Sequence, residues 1–129
     1  MPDSMVNVRY MVDDVEAAIA WYTTHLGFEV ISSAAPAFAD VKRGSLRLLL
    51  SGPKSSAGRP MADGAQPKPG GWNRIHLLVD DLDAEVARLR AAGATFRNDV
   101  VSGPGGSQIL LQDPSGNLVE LFQPRARAG

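Results

Sequence analysis

Asn7-Val8-Arg9-Tyr10-Met11-Val12-Asp13-Asp14-Val15-Glu16-Ala17 returns later in the chain as Arg74-Ile75-His76-Leu77-Leu78-Val79-Asp80-Asp81-Leu82-Asp83-Ala84, at a fixed offset of 67 residues. Gly27 has its counterpart in Gly93, and Gly44-Ser45-Leu46-Arg47-Leu48-Leu49-Leu50 is answered by Gly116-Asn117-Leu118-Val119-Glu120-Leu121-Phe122 at an offset of 72. A repeat at about half the chain length means two copies of one supersecondary unit, since a solenoid needs at least three shorter ones.

In the repeated phrase, Val6, Val8, Tyr10 and Val12 alternate with Asn7, Arg9 and Met11, the period of a strand with one apolar face. A helix follows. Asp13 or Asp14 caps it, Glu16 completes a capping box with Asp13, and Val15, Ile19, Tyr22 and Leu26 make the apolar stripe. Gly27 stops the helix as a left-handed C-terminal residue. Residues 28–33, 37–42 and 46–50 read as three further strands, so the first copy is βαβββ. The second copy repeats the order: a strand over 73–79, then a helix over 82–92 capped by Asp80 or Asp81. Strands over 95–100, 108–112 and 118–122 follow, with Asp113-Pro114-Ser115-Gly116 as a turn. The expected organisation is one α+β domain with module one at 5–51, a linker at 52–71 and module two at 72–124. The linker is rich in Gly, Pro and Ser. It is either a tether or a lid that uses Arg59, Lys68 or Trp72.

The 129 residues suffice for a core that needs no covalent staple. Thirteen basic and fourteen acidic residues give a net charge of -1, with no basic run, so neither nucleic acid nor an anionic membrane is an expected partner. The absence of cysteine excludes disulfides, thiolate metal sites and a cysteine nucleophile. Without a signal-like start or an apolar run of spanning length, the expectation is a cytoplasmic protein. Gly103-Pro104-Gly105-Gly106 lacks the Gly-Lys-Ser/Thr ending of a phosphate-binding loop.

Paired βαβββ modules, Val-Asp-Asp before each helix, Trp21-Tyr22 followed by Leu26-Gly27-Phe28, and Asp113-Pro114-Ser115-Gly116-Asn117-Leu118-Val119-Glu120-Leu121 together resemble the vicinal oxygen chelate superfamily. That group holds glyoxalase I, extradiol dioxygenases, methylmalonyl-CoA epimerase, and fosfomycin and bleomycin resistance proteins. The resemblance covers essentially the whole chain. It implies two curved, cup-like mixed sheets with helices outside, a homodimer, and sites inside the cups.

In metal-dependent members, the resemblance assigns one ligand to the first strand and one to the last strand of each module. Carried onto this chain, these positions are Asn7, Leu48, Arg74 and Glu120, with Leu48 chosen by the offset of 72. Leucine offers no donor and arginine is a permanent cation, so the expectation is no metal and no cofactor. An ion pair of Arg74 with Glu120 stands in the metal's place. It either closes the cup floor or presents Arg74 to an anionic or carbonyl group of a ligand, with Glu120 orienting it.

His76 and Glu120 are the candidate catalytic pair. A general base needs its proton affinity raised by burial, and a neighbouring guanidinium works against that. A shifted metal set of His76, Glu120 and Asp40 competes with a hydrogen-bonded histidine lining a polar pocket. His25, near a helix C-terminus, reads as a surface residue.

Alternation places Asn7, Arg9, Phe38, Asp40 and Leu48 on the first cup wall, where Arg9 and Asp40 could pair. Arg74, His76, Gln108, Gln112, Glu120 and Phe122 line the second. A wall of apolar surface with a few polar anchors suits a small organic ligand. The function expected is metal-independent binding of such a ligand, with sequestration as in antibiotic resistance. The alternative is a lyase, isomerase or dioxygenase with a non-standard site.

Overall fold

The computed structural model describes residues 6–125; Met5, where the first module was expected to begin, and the rest of the first five residues lie outside the described residues. The chain forms two compact units, one of residues up to Gly70 together with Pro114–Asn117, the other of Gly71–Asp113 and the chain from Leu118. It has two mixed sheets and few helices, the α+β architecture expected from the repeat.

The first unit runs β1 (Asn7–Met11), α1 (Val15–Leu26), β2 (Glu29–Ala34), β3 (Phe38–Arg43) and β4 (Leu46–Ser51), with sheet order β1-β4-β3-β2. β1 lies parallel to β4, and the other pairings are antiparallel. Asp14 caps α1, its carboxylate accepting from the Ala17 backbone N–H at 3.1 Å. The capping box drawn from Asp13 and Glu16 is therefore displaced by one residue, and Ala17 at the third helical position cannot complete it. At the other end Gly27 has φ 68°, and its N–H closes onto the Tyr22 carbonyl, a conformation that costs a residue with a Cβ. The buried stripe is Val15, Ala18, Tyr22 and Leu26, with Ala18 replacing Ile19 at closest approach. It covers Ala39, Val41, Leu48 and Leu50, and Tyr22 meets Phe28 edge-on at 5.4 Å.

The expected linker is partly built into this unit. A short 3-10 turn at Ser56–Gly58 is capped by the buried Ser55, and Gly58 packs so closely that a Cβ would lie 2.5 Å from the Gly52 carbonyl oxygen. Further on, the Gly70 N–H donates to Asn117 Oδ1 at 2.9 Å, while Asn117 Nδ2 donates to the Met11 carbonyl at 2.7 Å.

The second unit runs β5 (Arg74–Leu78), α2 (Leu82–Ala91), β6 (Thr95–Phe96), β7 (Val101–Gly103), β8 (Gly106–Gln112) and β9 (Leu118–Pro124), in sheet order β5-β9-β8-β6 with β7 also on β8. Of the strand expected over 95–100 only Thr95–Phe96 forms, and β7 begins just beyond the expected end. The Arg97 N–H still donates to the Leu110 carbonyl at 2.8 Å, but the Leu110 N–H goes to Asn98 Oδ1 at 2.9 Å, a side chain in place of the return backbone bond. Asp81 caps α2 as Asp14 caps α1, accepting from the Ala84 N–H at 3.1 Å. Ile75, Leu77, Ile109, Leu111, Val119 and Leu121 form the buried face of this sheet, and Leu82 and Leu89 of α2 are buried with them. The opposite face carries the polar residues.

Candidate functional site

In the second unit, β5 runs parallel to β9 with Arg74 opposite Leu118, His76 opposite Glu120 and Leu78 opposite Phe122. Next along, β8 sets Gln108 against Phe122, Leu110 against Glu120 and Gln112 against Leu118. Strand alternation therefore presents Arg74, His76, Glu120, Phe122, Gln108 and Gln112 on one face. Arg74 Nε donates to Glu120 Oε1 at 3.0 Å, and Arg74 Nη1 also reaches the Trp72 carbonyl at 3.3 Å. His76 Nε2 stands 3.4 Å from Glu120 Oε2, with its ring 4.9 Å from that of Phe122. The Glu120 side chain is 8% exposed, against 31% for Arg74 and 47% for His76. A nearly buried carboxylate thus holds two partners that are themselves open to solvent. Trp72, 65% exposed, lies under the Arg97 guanidinium at 5.4 Å.

In the first unit, the corresponding face carries Asn7, Arg9 and Met11 on β1, Arg47, Leu49 and Ser51 on β4, and Phe38, Asp40 and Lys42 on β3. Leu48 is not among them. It is fully buried on the helix-covered face, opposite Val8 and Val41. The offset that aligned Gly44 with Gly116 aligned two turns of different length. Residues 43–46 separate Lys42 from Arg47, while five residues, 113–117, separate Gln112 from Leu118. Strand register pairs Arg9 with Leu49 as it pairs His76 with Glu120, so Leu49 is the counterpart of Glu120. A slip of one residue moves a side chain to the other face.

Arg9 and Asp40 do not pair. Arg9 Nη1 donates to Ser51 Oγ at 2.8 Å. Asp40 is held instead by Arg47, whose Nε and Nη2 lie 2.7 and 2.6 Å from Oδ2, and by the Ser32 hydroxyl on Oδ1. Burial alone would raise the Asp40 pKa. The Ser32 hydrogen bond and the Arg47 guanidinium outweigh it and leave the carboxyl below its ordinary value. Neither Arg47 nor Lys42 was reached from the sequence, although the pairing register of β4 contains both. His25, in the last turn of α1, sits 5.7 Å from the Trp21 ring.

These donors do not fit the four-ligand metal centre that the resemblance implies. With the register corrected, its positions hold Asn7, Leu49, Arg74 and Glu120. The guanidinium of Arg74 takes the Glu120 oxygen that would face an ion. Among the described residues, no group of three or more His, Cys, Asp or Glu side chains gathers.

Solved structures sharing this fold include a lactoylglutathione lyase from Agrobacterium tumefaciens, 26% identical, TM-score 0.72, with 95% of this chain and 94% of that one aligned. TnmS3, an antibiotic binding protein from Streptomyces sp. CB03234, is 27% identical with TM-score 0.73 over 97% of this chain and 99% of its own. A superfamily member from Sphaerobacter thermophilus DSM 20745 is 28% identical with TM-score 0.75, over 95% and 98% of the two chains. No curated protein matches the chain. No helix among the described residues is long and apolar enough to cross a membrane. The sequence over residues 4–121 matches the family model, and the chain belongs to the Glyoxalase/Bleomycin resistance protein/Dioxygenase superfamily.

Proposed function

We propose that this protein is a metal-independent binder of a small organic molecule, received on the second unit's open face at Arg74, Glu120, His76 and Phe122. The observation that carries this reading is the 3.0 Å contact of Arg74 with Glu120 at the positions where metal-dependent relatives hold ligands. Glu120 fixes one edge of the guanidinium and leaves other N–H groups for an acidic or carbonyl group. The His76 and Phe122 rings, tilted 36° to one another, supply aromatic surface for the remainder of the ligand. Sequestration without turnover agrees with the likeness to TnmS3, an antibiotic binding protein. We read the protein further as a cytoplasmic homodimer, in which self-association would cover exposed apolar side chains such as Leu78, 63% exposed.

The test is elemental analysis of purified protein, followed by calorimetric titration of Mn, Fe, Ni and Zn into the metal-free form. The expected result is no stoichiometric binding, with stabilising ligands then found by thermal-shift screening and lost in Arg74→Met. One tightly bound ion per subunit would sink the reading and favour the second one, a lyase, isomerase or dioxygenase. That alternative draws on the 3.4 Å approach of His76 to Glu120, and there His76→Ala should abolish turnover. Sedimentation tests the dimer.

A further inference from the structure

Where α1 ends and β2 begins, the first unit has a depression of about 310 Å³ lined by Gly27, Glu29, Lys42, Arg43 and Gly44. It lies at the end of the sheet, between the C-terminus of α1 and the β3–β4 turn, and contains none of the residues expected on the cup walls. Two of its walls are bare backbone. Gly27 and Gly44 have φ of 68° and 58°, where a side chain is strained, and a Cβ on either would meet nothing within 4 Å. The other walls are charged. Lys42 and Arg43, as neighbours on β3, point to opposite sides of the sheet, so the depression wraps around the strand's end. Arg43 Nη1 donates to the Leu26 carbonyl at 3.2 Å, which places a cation at the negative end of α1 and leaves its other N–H groups for a further acceptor. Glu29 stands opposite Lys42 in the ladder, a cross-strand position from which opposite charges commonly pair. Here they do not. Among the described residues neither Glu29 nor Lys42 holds an ion-pair partner, and both charges border the depression.

We infer that this depression is a binding site for a small acidic amino acid, a molecule with one ammonium and two carboxylate groups. The ammonium meets Glu29, one carboxylate meets Arg43 and the other meets Lys42. Charge balance selects the class. The lining holds one anion and two cations, and the neighbouring Arg47 is already neutralised by Asp40. The complement is therefore a ligand of net charge -1 that carries both signs. A dicarboxylate without an ammonium would set a carboxylate against Glu29, and a neutral amino acid would leave one of the two cations uncompensated. Size agrees, because the depression stands at the small end of the range for ligand sites. Arg43 is fixed in advance by the Leu26 carbonyl, so little side-chain freedom is lost when a carboxylate arrives. The inference does not depend on the reading given to Arg74 and Glu120, because every lining residue belongs to the first unit.

The experiment is a titration of the full chain, isotope-labelled for amide NMR, at constant ionic strength with L-glutamate, with glutarate, which lacks the ammonium, and with L-alanine, which lacks the second carboxylate. L-Glutamate should shift the amides of Gly27, Glu29, Arg43 and Gly44. Glutarate and L-alanine should each bind at least about tenfold more weakly, as expected for loss of a charge-assisted contact. Glu29→Gln and Lys42→Met, both at exposed positions, should each weaken L-glutamate about tenfold with an unchanged amide fingerprint elsewhere. Glu29→Gln should in addition tighten glutarate, a reversal that a merely structural role for Glu29 would not produce. Glutarate or L-alanine binding as tightly as L-glutamate, an unaffected Glu29→Gln variant, or no shift at the four amides would overturn the inference. Shifts confined to His76 and Phe122 would also overturn it while leaving the second-unit reading intact. Shifts confined to the four amides, with the expected order of the three probes, would uphold it whatever becomes of that reading.

Discussion

Arg47 brings two nitrogens, Nε at 2.7 Å and Nη2 at 2.6 Å, onto one oxygen of Asp40, while the hydroxyl of Ser32 holds the other oxygen. Asp40 has no solvent exposure, yet the Arg47 side chain is 40% exposed. The pair therefore ties a buried carboxylate on β3 to a cation that remains available at the surface.

Removing the cation leaves the carboxylate buried with a hydroxyl alone. Arg47→Met is expected to cost about 2–3 kcal/mol, below the figure for a wholly buried pair because one partner already touches water. Asp40→Asn, which retains an acceptor, is expected to cost about 1 kcal/mol. Urea denaturation of the two variants would show the order, and equal losses would contradict it.

The same contact sets a pH dependence. The native pKa of Asp40 is depressed, so between that value and the unfolded value of about 3.9 the unfolded chain binds a proton that the native chain does not. The contribution is present above about pH 4 and is lost as pH falls through the depressed native value. Asp40→Asn should flatten the fall in stability below about pH 4. An acid limb as steep as that of the wild type would remove Asp40 from the explanation.

Leu48 and Leu49 give a direct test of register. Leu48 is fully buried and Leu49 lies on the opposite, partly open face. Leu48→Ala should cost about 2–5 kcal/mol and Leu49→Ala distinctly less. The reverse order would restore the offset of 72 between the two modules.

Helix capping separates two adjacent aspartates. Asp14→Ala removes the acceptor for the Ala17 N–H and should destabilise by about 1 kcal/mol. Asp13→Ala should change stability little, because the Asp13 contact with Ser115 Oγ is made by its backbone N–H. Thermal melts of both variants would decide.

Arg74→His should add a third metal-type donor to the second unit's open face. An imidazole at that position would join His76 and Glu120 on one face of the second unit, giving nitrogen and carboxylate donors suited to zinc or nickel. Calorimetry should detect new divalent-ion binding in this variant. Its absence would mean that the spacing of the three side chains, and not the guanidinium, bars the metal.

The 67-residue repeat, the alternation along each first strand and the paired Val-Asp-Asp openings were enough to write βαβββ twice, because short-range periodicity is carried by consecutive residues. The Arg74–Glu120 pair was legible through the resemblance, which implies that both positions face one site, and the two side chains do meet. Alternation also put Phe38 and Asp40 on the correct face, since neither depends on a turn length between the copies. Tertiary structure decided what lay across a turn. The five-residue 113–117 turn is one residue longer than its counterpart, so the offset of 72 pointed to Leu48 where register puts Leu49 on the polar face. Pairing of β3 with β4 likewise brought Arg47 to Asp40. Which ions meet was fixed by pairing register between strands distant in sequence, a cooperative choice made by burying one whole face of a sheet.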